Sequence, residues 1–159
     1  MSLLAQETEH TPSTSSSEFL TFMIEGQRFG IPILQVQDVL GRQKVTCVPL
    51  APSEVAGSLN LRGRIVTAIN VKKRLGIKEN PDHDDNYMDM SVVVEHDHEL
   101  YSLVIDSVSD VMRFEKGEIE STPPTLDPVW RDISDGIFRL DKELLIILNI
   151  EKLIESVQN

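Results

Sequence analysis

Short apolar runs, each closed by turn-forming residues, recur along this chain: FLTFMI, then GQ, then RFGIPI; RIVTAIN; and later MSVVV, EHDH, LYSLVI and LLIILNI. Runs this brief, rich in β-branched residues and bounded by Gly, Asn, Asp or Pro, predict strands joined in hairpins. Two stretches carry a different period. SEVAGSL, following Pro52, and the closing NIEKLIESVQ, in which Ile150, Leu153, Ile154 and Val157 recur at helical spacing, predict short helices. Residues 1–17 are rich in Ser and Thr, have almost nothing to bury, and are expected to form a disordered N-terminal tail.

The pattern is also spelled twice. Phe29–Leu40, FGIPILQVQDVL, aligns without a gap with Tyr101–Met112, YSLVIDSVSDVM, sharing Ile33/Ile105, Val36/Val108, Asp38/Asp110 and Val39/Val111. Gly57–Leu75, GSLNLRGRIVTAINVKKRL, aligns with Gly136–Ile154, GIFRLDKELLIILNIEKLI, sharing Gly57/Gly136, Leu61/Leu140, Asn70/Asn149 and Lys73/Lys152. The first offset is 72 positions and the second 79, so the second copy carries seven extra residues. Binary patterning alone makes apolar strands look alike, but two matching blocks in one order indicate two similar halves. Units this small that lack disulfides or metals must share core and close their sheet edges, which small barrels packed together achieve. The expected fold is mainly β: two barrels side by side, with short helices including one at the C-terminus.

Composition narrows the function. With 159 residues and 40% hydrophobic content the chain is long enough for one ordinary core or two small ones. A formal net charge of -11 opposes a nucleic-acid partner, because phosphate binding draws on clustered Lys and Arg. The lone cysteine, Cys47, cannot form an internal disulfide, and the N-terminus lacks the basic and apolar regions of a secretion signal. No run of eighteen apolar residues occurs, so a cytoplasmic location without membrane insertion is expected.

The sequence carries no dinucleotide loop, P-loop or nucleophile elbow, and Cys47 has no histidine near it in sequence, so catalysis and a cofactor are not expected. His96 and His98 could share a strand face, but no second ligand cluster supports a metal, and a solvated turn between two apolar strands accounts for EHDHE. Lys72, Lys73 and Arg74 fall where a helix should end, which suits cations. Ile33, Val36 and Val39, spaced by three, fit either burial in their own barrel or the wall of a shared apolar groove. The halves diverge at NLRGR against RLDKE. DK makes a plain polar turn, whereas RG sets a glycine, able to take positive φ, beside a long guanidinium, which makes Arg62 either a contact residue or half of a surface ion pair.

The blocks EFLTFMIEGQRFGIPILQVQDVL, GSLNLRGRIVTAINVKKRLG, LYSLVIDSVSDVM and LLIILNIEKLI, in that order, resemble the CheW-type coupling proteins of bacterial chemotaxis, with NLRG and the strand after it the most specific part. The resemblance implies one domain over residues 18–159, built from two intertwined SH3-like five-stranded β-barrels sharing a core. It implies a non-catalytic adaptor that couples the cytoplasmic tip helices of methyl-accepting chemotaxis receptors to the regulatory domain of the histidine kinase CheA, in the cytoplasm at membrane-bound receptor arrays. A stand-alone double-barrel domain that binds another partner or a small ligand outside chemotaxis is the alternative. Carried over by position, receptor binding would involve Ile33, Val36, Asp38, Val39, Val108 and Val111, with Gly57, Asn60, Arg62 and Gly63 beside them. The chain differs from the family's usual Asp at Asn70, Arg at Leu40 and Gly at Ser102 and Ser107; Leu40 and Ser107 are expected to flank the groove.

Overall fold

The computed structural model describes residues 16–158. Most of the expected tail lies outside the described residues, and its last two, Ser16 and Ser17, already pair with Glu115 and Phe114 in the first strand. The strands are β1 (Ser16–Ile24), β2 (Gln27–Pro32), β3 (Val36–Leu40), β4 (Gln43–Lys44), β5 (Val55–Leu61), β6 (Arg64–Asn70), β7 (Tyr87–Met88), β8 (Met90–His96), β9 (Glu99–Ile105), β10 (Ser107–Glu115), β11 (Ser134–Arg139) and β12 (Leu144–Leu148). Three short α-helices follow particular strands: α1 (Val71–Arg74), α2 (Pro128–Asp132) and α3 (Ile150–Gln158).

Two five-stranded sheets contain ten of these strands, in the orders β10-β1-β2-β12-β11 and β3-β8-β9-β6-β5. The sequence repeat makes β1, β2, β3, β5 and β6 equivalent to β8, β9, β10, β11 and β12, and with that substitution the two orders become the same. Each sheet takes the opening hairpin of one half and the remaining three strands of the other. The halves have therefore exchanged hairpins, and neither half forms a barrel from its own strands alone. The parallel pairs β2–β12 and β6–β9 join the exchanged hairpin to its host sheet in both cases.

The exchange explains the apolar runs. In β8, Val92 and Val94 enter a central cluster shared by both sheets, while Val93 faces the interior of its own barrel. In β12, Ile146 and Leu148 enter the shared cluster, and Leu145 and Ile147 face the other barrel with Phe19 and Phe138. Strands buried on both faces lose the polar alternation of a half-exposed sheet. Each fully buried Val, Leu, Ile or Phe contributes about 1.5–3 kcal/mol, and the shared cluster, the largest of the three, draws such residues from both sheets and from α1 and α3.

Both halves repeat their punctuation. Asn70 Oδ1 accepts from Lys73 N at 3.1 Å and Asn149 Oδ1 from Lys152 N at 2.9 Å, capping α1 and α3. Lys72, Lys73 and Arg74 occupy the last turn of α1, as expected. The register shifts beside Gly57 in β5 and beside Gly136 in β11. The seven extra residues of the second half fall in the connection containing α2, whose Trp130 donates Nε1–H to Leu75 O at 2.9 Å and packs on Phe29.

SEVAGSL is not a helix. Ser53 and Glu54 form a turn closed by Val55 N donating to Pro52 O at 2.9 Å, and Val55–Leu61 is strand β5. Pro52 resembles a helix start, but a Cβ at Gly57 would stand 2.6 Å from Thr46 O, so Gly57 serves a close strand approach. The same approach occurs at Gly136, 2.6 Å from Glu120 O, so the repeat itself pointed to a strand.

Candidate protein-binding site

β3 and β10 are edge strands of different sheets and equivalent positions of the repeat. Val36 lies opposite Val94 and Val39 opposite Val92, while Val108 lies opposite Phe22 and Val111 opposite Leu20. All four partners belong to the shared cluster. The two edges thus border one core from two sides. Ile33, Val36 and Val108 are half-buried and packed against that core, whereas Val39 and Val111 are 39% and 51% exposed. The choice between core and groove wall resolves into a gradient along each strand: the first valine leans on the core, and the second faces solvent.

Asp38, Asn60, Arg62 and Gly63 gather at one end of the second sheet. β3 and β5 are its two edges, and the Arg62 Nη2–Asp38 Oδ2 contact at 2.8 Å spans them, while the Thr46–Ser58 bridge joins β5 to the segment after β4. Asp38 Oδ1 also accepts Val39 N–H at 2.8 Å. The Arg62 guanidinium first, and the Val39 N–H second, hold the Asp38 carboxyl below its ordinary range, against a small opposing effect of desolvation. Asn60 Oδ1 accepts Gly63 N–H at 2.9 Å across the β5–β6 turn. Arg62 sits at φ 51 and Gly63 at φ 86, the two positive values that a two-residue type I′ turn requires. The expected positive φ at Gly63 is present; that Arg62 itself adopts one was not foreseen.

Two positions depart from the sequence reading. Gly57 is buried under Thr46 and Val45 and belongs to the frame, not to the exposed surface. Leu40 does not flank a groove: it is buried among Val45, Val66 and Met88 inside the barrel. Ser107, by contrast, is exposed at the start of β10. Two exposed apolar residues beside the site were missed. Leu34, in the 3-10 turn Ile33–Gln35, is 92% exposed, and Ile65, paired with Asn60, is 68% exposed. Leu34 was legible in principle, since its repeat equivalent is the polar Asp106.

Elsewhere, His96 ends β8 with Nε2 3.5 Å from oxygens of Asp97 and Glu155, and His98 lies in the β8–β9 turn at φ 67. His83, distant in sequence from Cys47, lines the same cavity as that thiol, with no hydrogen bond joining them among the described residues. Among the described residues, no helix is long and apolar enough to cross a membrane.

The profile of the family described as CheW-like domain matches residues 18–158. The chemotaxis protein CheW of Klebsiella aerogenes is 30% identical over 156 residues, covering 98% of this chain and 92% of that one. That of Treponema pallidum is 28% identical over 140 residues, covering 87% and 82%. The crystal structure of the scaffolding protein TtCheW from Thermoanaerobacter tengcongensis superposes with a TM-score of 0.75 at 28% identity, over 87% of this chain and 92% of that one. Profile, relatives and the two five-stranded sheets agree, and the chain belongs to the CheW-like domain family.

Proposed function

We propose that this protein is a non-catalytic adaptor of bacterial chemotaxis, holding the cytoplasmic tip helices of methyl-accepting receptors against the regulatory domain of the histidine kinase CheA, in the cytoplasm at membrane-bound receptor arrays. The observation that carries this reading is the placement of Val36 and Val39 on one edge strand and Val108 and Val111 on its repeat equivalent, both bordering one core and both partly open to solvent. A receptor helix presents apolar side chains at i, i+3, i+4 and i+7 and fits such a strip. Beside it, Arg62 is 76% exposed and gives one of its five N–H donors to Asp38, leaving others for a glutamate or a helix carbonyl of the partner. The names of the relatives, chemotaxis protein and scaffolding protein, support the same class. Residues 18–159 act as the functional unit, close to the span the family profile matches.

The test is reconstitution of receptor-tip fragments and kinase with increasing amounts of the full chain. Kinase autophosphorylation should rise with adaptor concentration. A flat response over the whole range overturns the reading.

A further inference from the structure

The chain passes between the two sheets at two repeat-equivalent places: from β2 to β3 through Ile33–Gln35, and from β9 to β10 at Asp106. The two crossings are built differently. At the first, Leu34 stands 92% exposed. At the second, Asp106 Oδ1 meets Lys72 Nζ at 3.1 Å, Asp106 Oδ2 accepts Glu25 N–H at 2.8 Å, and Asp106 N–H donates to Met23 O at 3.1 Å. Lys72 Nζ also lies 3.0 Å from Glu25 Oε2, and its side chain is only 15% exposed. One ammonium therefore ties the β1–β2 turn of one sheet and the helix that follows β6 of the other to the residue that precedes β10. Burial works to lower the Lys72 pKa, but hydrogen bonds to Glu25 and Asp106 outweigh it and raise the value overall. The repeat equivalent of Lys72 is the exposed Glu151, so the second half does not supply the same cation.

β10 needs an anchor. It is an edge strand, among the described residues it pairs only with β1, and its register shifts between Leu20 and Phe22, opposite Val111 and Val108. A slip of one residue would turn both valines to the other face. Thr21 Oγ1 pins the irregular stretch from one side, donating to Asp110 O at 2.6 Å and accepting Asp110 N–H at 3.1 Å. The strand's first residue, Ser107, lies opposite Met23 at the end of the ladder, and the residue before it is held by the contacts of Asp106 with Lys72, Glu25 and Met23.

We propose that Lys72 is a positioning residue for the β10 side of the partner site, fixing where β10 begins and thereby which way Val108 and Val111 face. The inference rests on the receptor-binding reading, and its test has an arm that uses no partner. Amide hydrogen exchange in the full chain compares Lys72→Met, Lys72→Arg and, as a control, Lys73→Met. Lys72→Met should speed exchange in Ser107–Glu115 about tenfold, the factor expected for one charge-assisted hydrogen bond, and leave Val36–Leu40 at the wild-type rate. Lys72→Arg should restore most of the protection, and Lys73→Met should change nothing. Receptor-tip affinity should fall about as much in Lys72→Met and recover in Lys72→Arg. Exchange that stays unchanged, or that rises equally on both edges, overturns the proposal, as does unaltered receptor affinity when β10 has loosened. The receptor reading fails separately if Val36→Asp and Val108→Asp bind receptor tips as tightly as the parent.

Discussion

The hairpins β5–β6 and β11–β12 occupy equivalent places, follow the same glycine-centred irregularity and lead into helices with the same asparagine cap, yet their turns differ. In the first, Arg62 and Gly63 both take positive φ, and the guanidinium reaches across the barrel to Asp38. In the second, Asp141 and Lys142 have no positive φ, and the turn closes with Leu140 N–H donating to Glu143 O at 2.9 Å. A non-glycine residue in the left-handed region costs roughly 1–2 kcal/mol. The frame is thus duplicated and the strain is not. The turns at Glu25 and Gly26 and at Asp97 and His98 also take positive φ, so it is the Arg62–Asp38 contact together with that geometry that marks the first hairpin tip as the candidate contact point.

The largest effect tests the shared frame. A methyl group at Gly57 or at Gly136 would stand 2.6 Å from a backbone oxygen, which no rotamer change relieves, and Gly57 carries a φ of +152 in addition. Gly57→Ala and Gly136→Ala should each lower unfolding free energy by on the order of 3 kcal/mol in urea titration, Gly57→Ala somewhat more. A mild Gly136→Ala beside a severe Gly57→Ala would show that the two hairpins are not equivalent in packing.

Next comes the gradient along the two edges. Val36→Asp and Val108→Asp place a carboxylate against the shared core and should cost about 1–3 kcal/mol of stability, whereas Val39→Asp and Val111→Asp, at exposed positions, should cost about 0.5 kcal/mol or less. All four should weaken receptor-tip binding in calorimetric titration. If the outer pair binds normally while the inner pair only unfolds, the valines belong to the core and the groove reading is wrong.

The architecture was legible where a pattern had a single physical solution. The repeat gave two equivalent sets of strands, and the C-terminal helix followed from local spacing. What the sequence hid was long-range. Hairpin exchange leaves every local signal unchanged, because a β1–β2 hairpin looks the same whichever sheet receives it. Leu40 was expected to flank the groove and is instead buried by a barrel that closes only in three dimensions. Asp38 and Arg62 were each picked out, but their meeting follows from β3 and β5 being opposite edges of one sheet, which no spacing along the chain encodes.

The smallest effect on stability is expected at that ion pair. Arg62 is 76% exposed, so Arg62→Ala and Asp38→Asn should leave the melting temperature within a degree or two of the parent, since exposed pairs contribute little. Arg62→Gly should be at least as stable as Arg62→Ala, because glycine adopts the φ of 51 without strain. Binding should separate sharply from folding: loss of the guanidinium should weaken receptor-tip affinity by about 1–3 kcal/mol if the contact is charge-assisted, with kinase binding barely altered. The pH dependence has a definite sign. The Asp38 carboxyl titrates below its ordinary value of 3.8, so the pair's contribution is complete above that pH and is lost as pH falls through the folded-state value. A carboxyl-detected NMR titration should show the Asp38 midpoint moving back up toward 3.8 in Arg62→Ala. If instead Arg62→Ala melts several degrees lower and still binds receptor tips at the parent's affinity, the pair is a barrel clasp, and the difference between the two hairpins is structural.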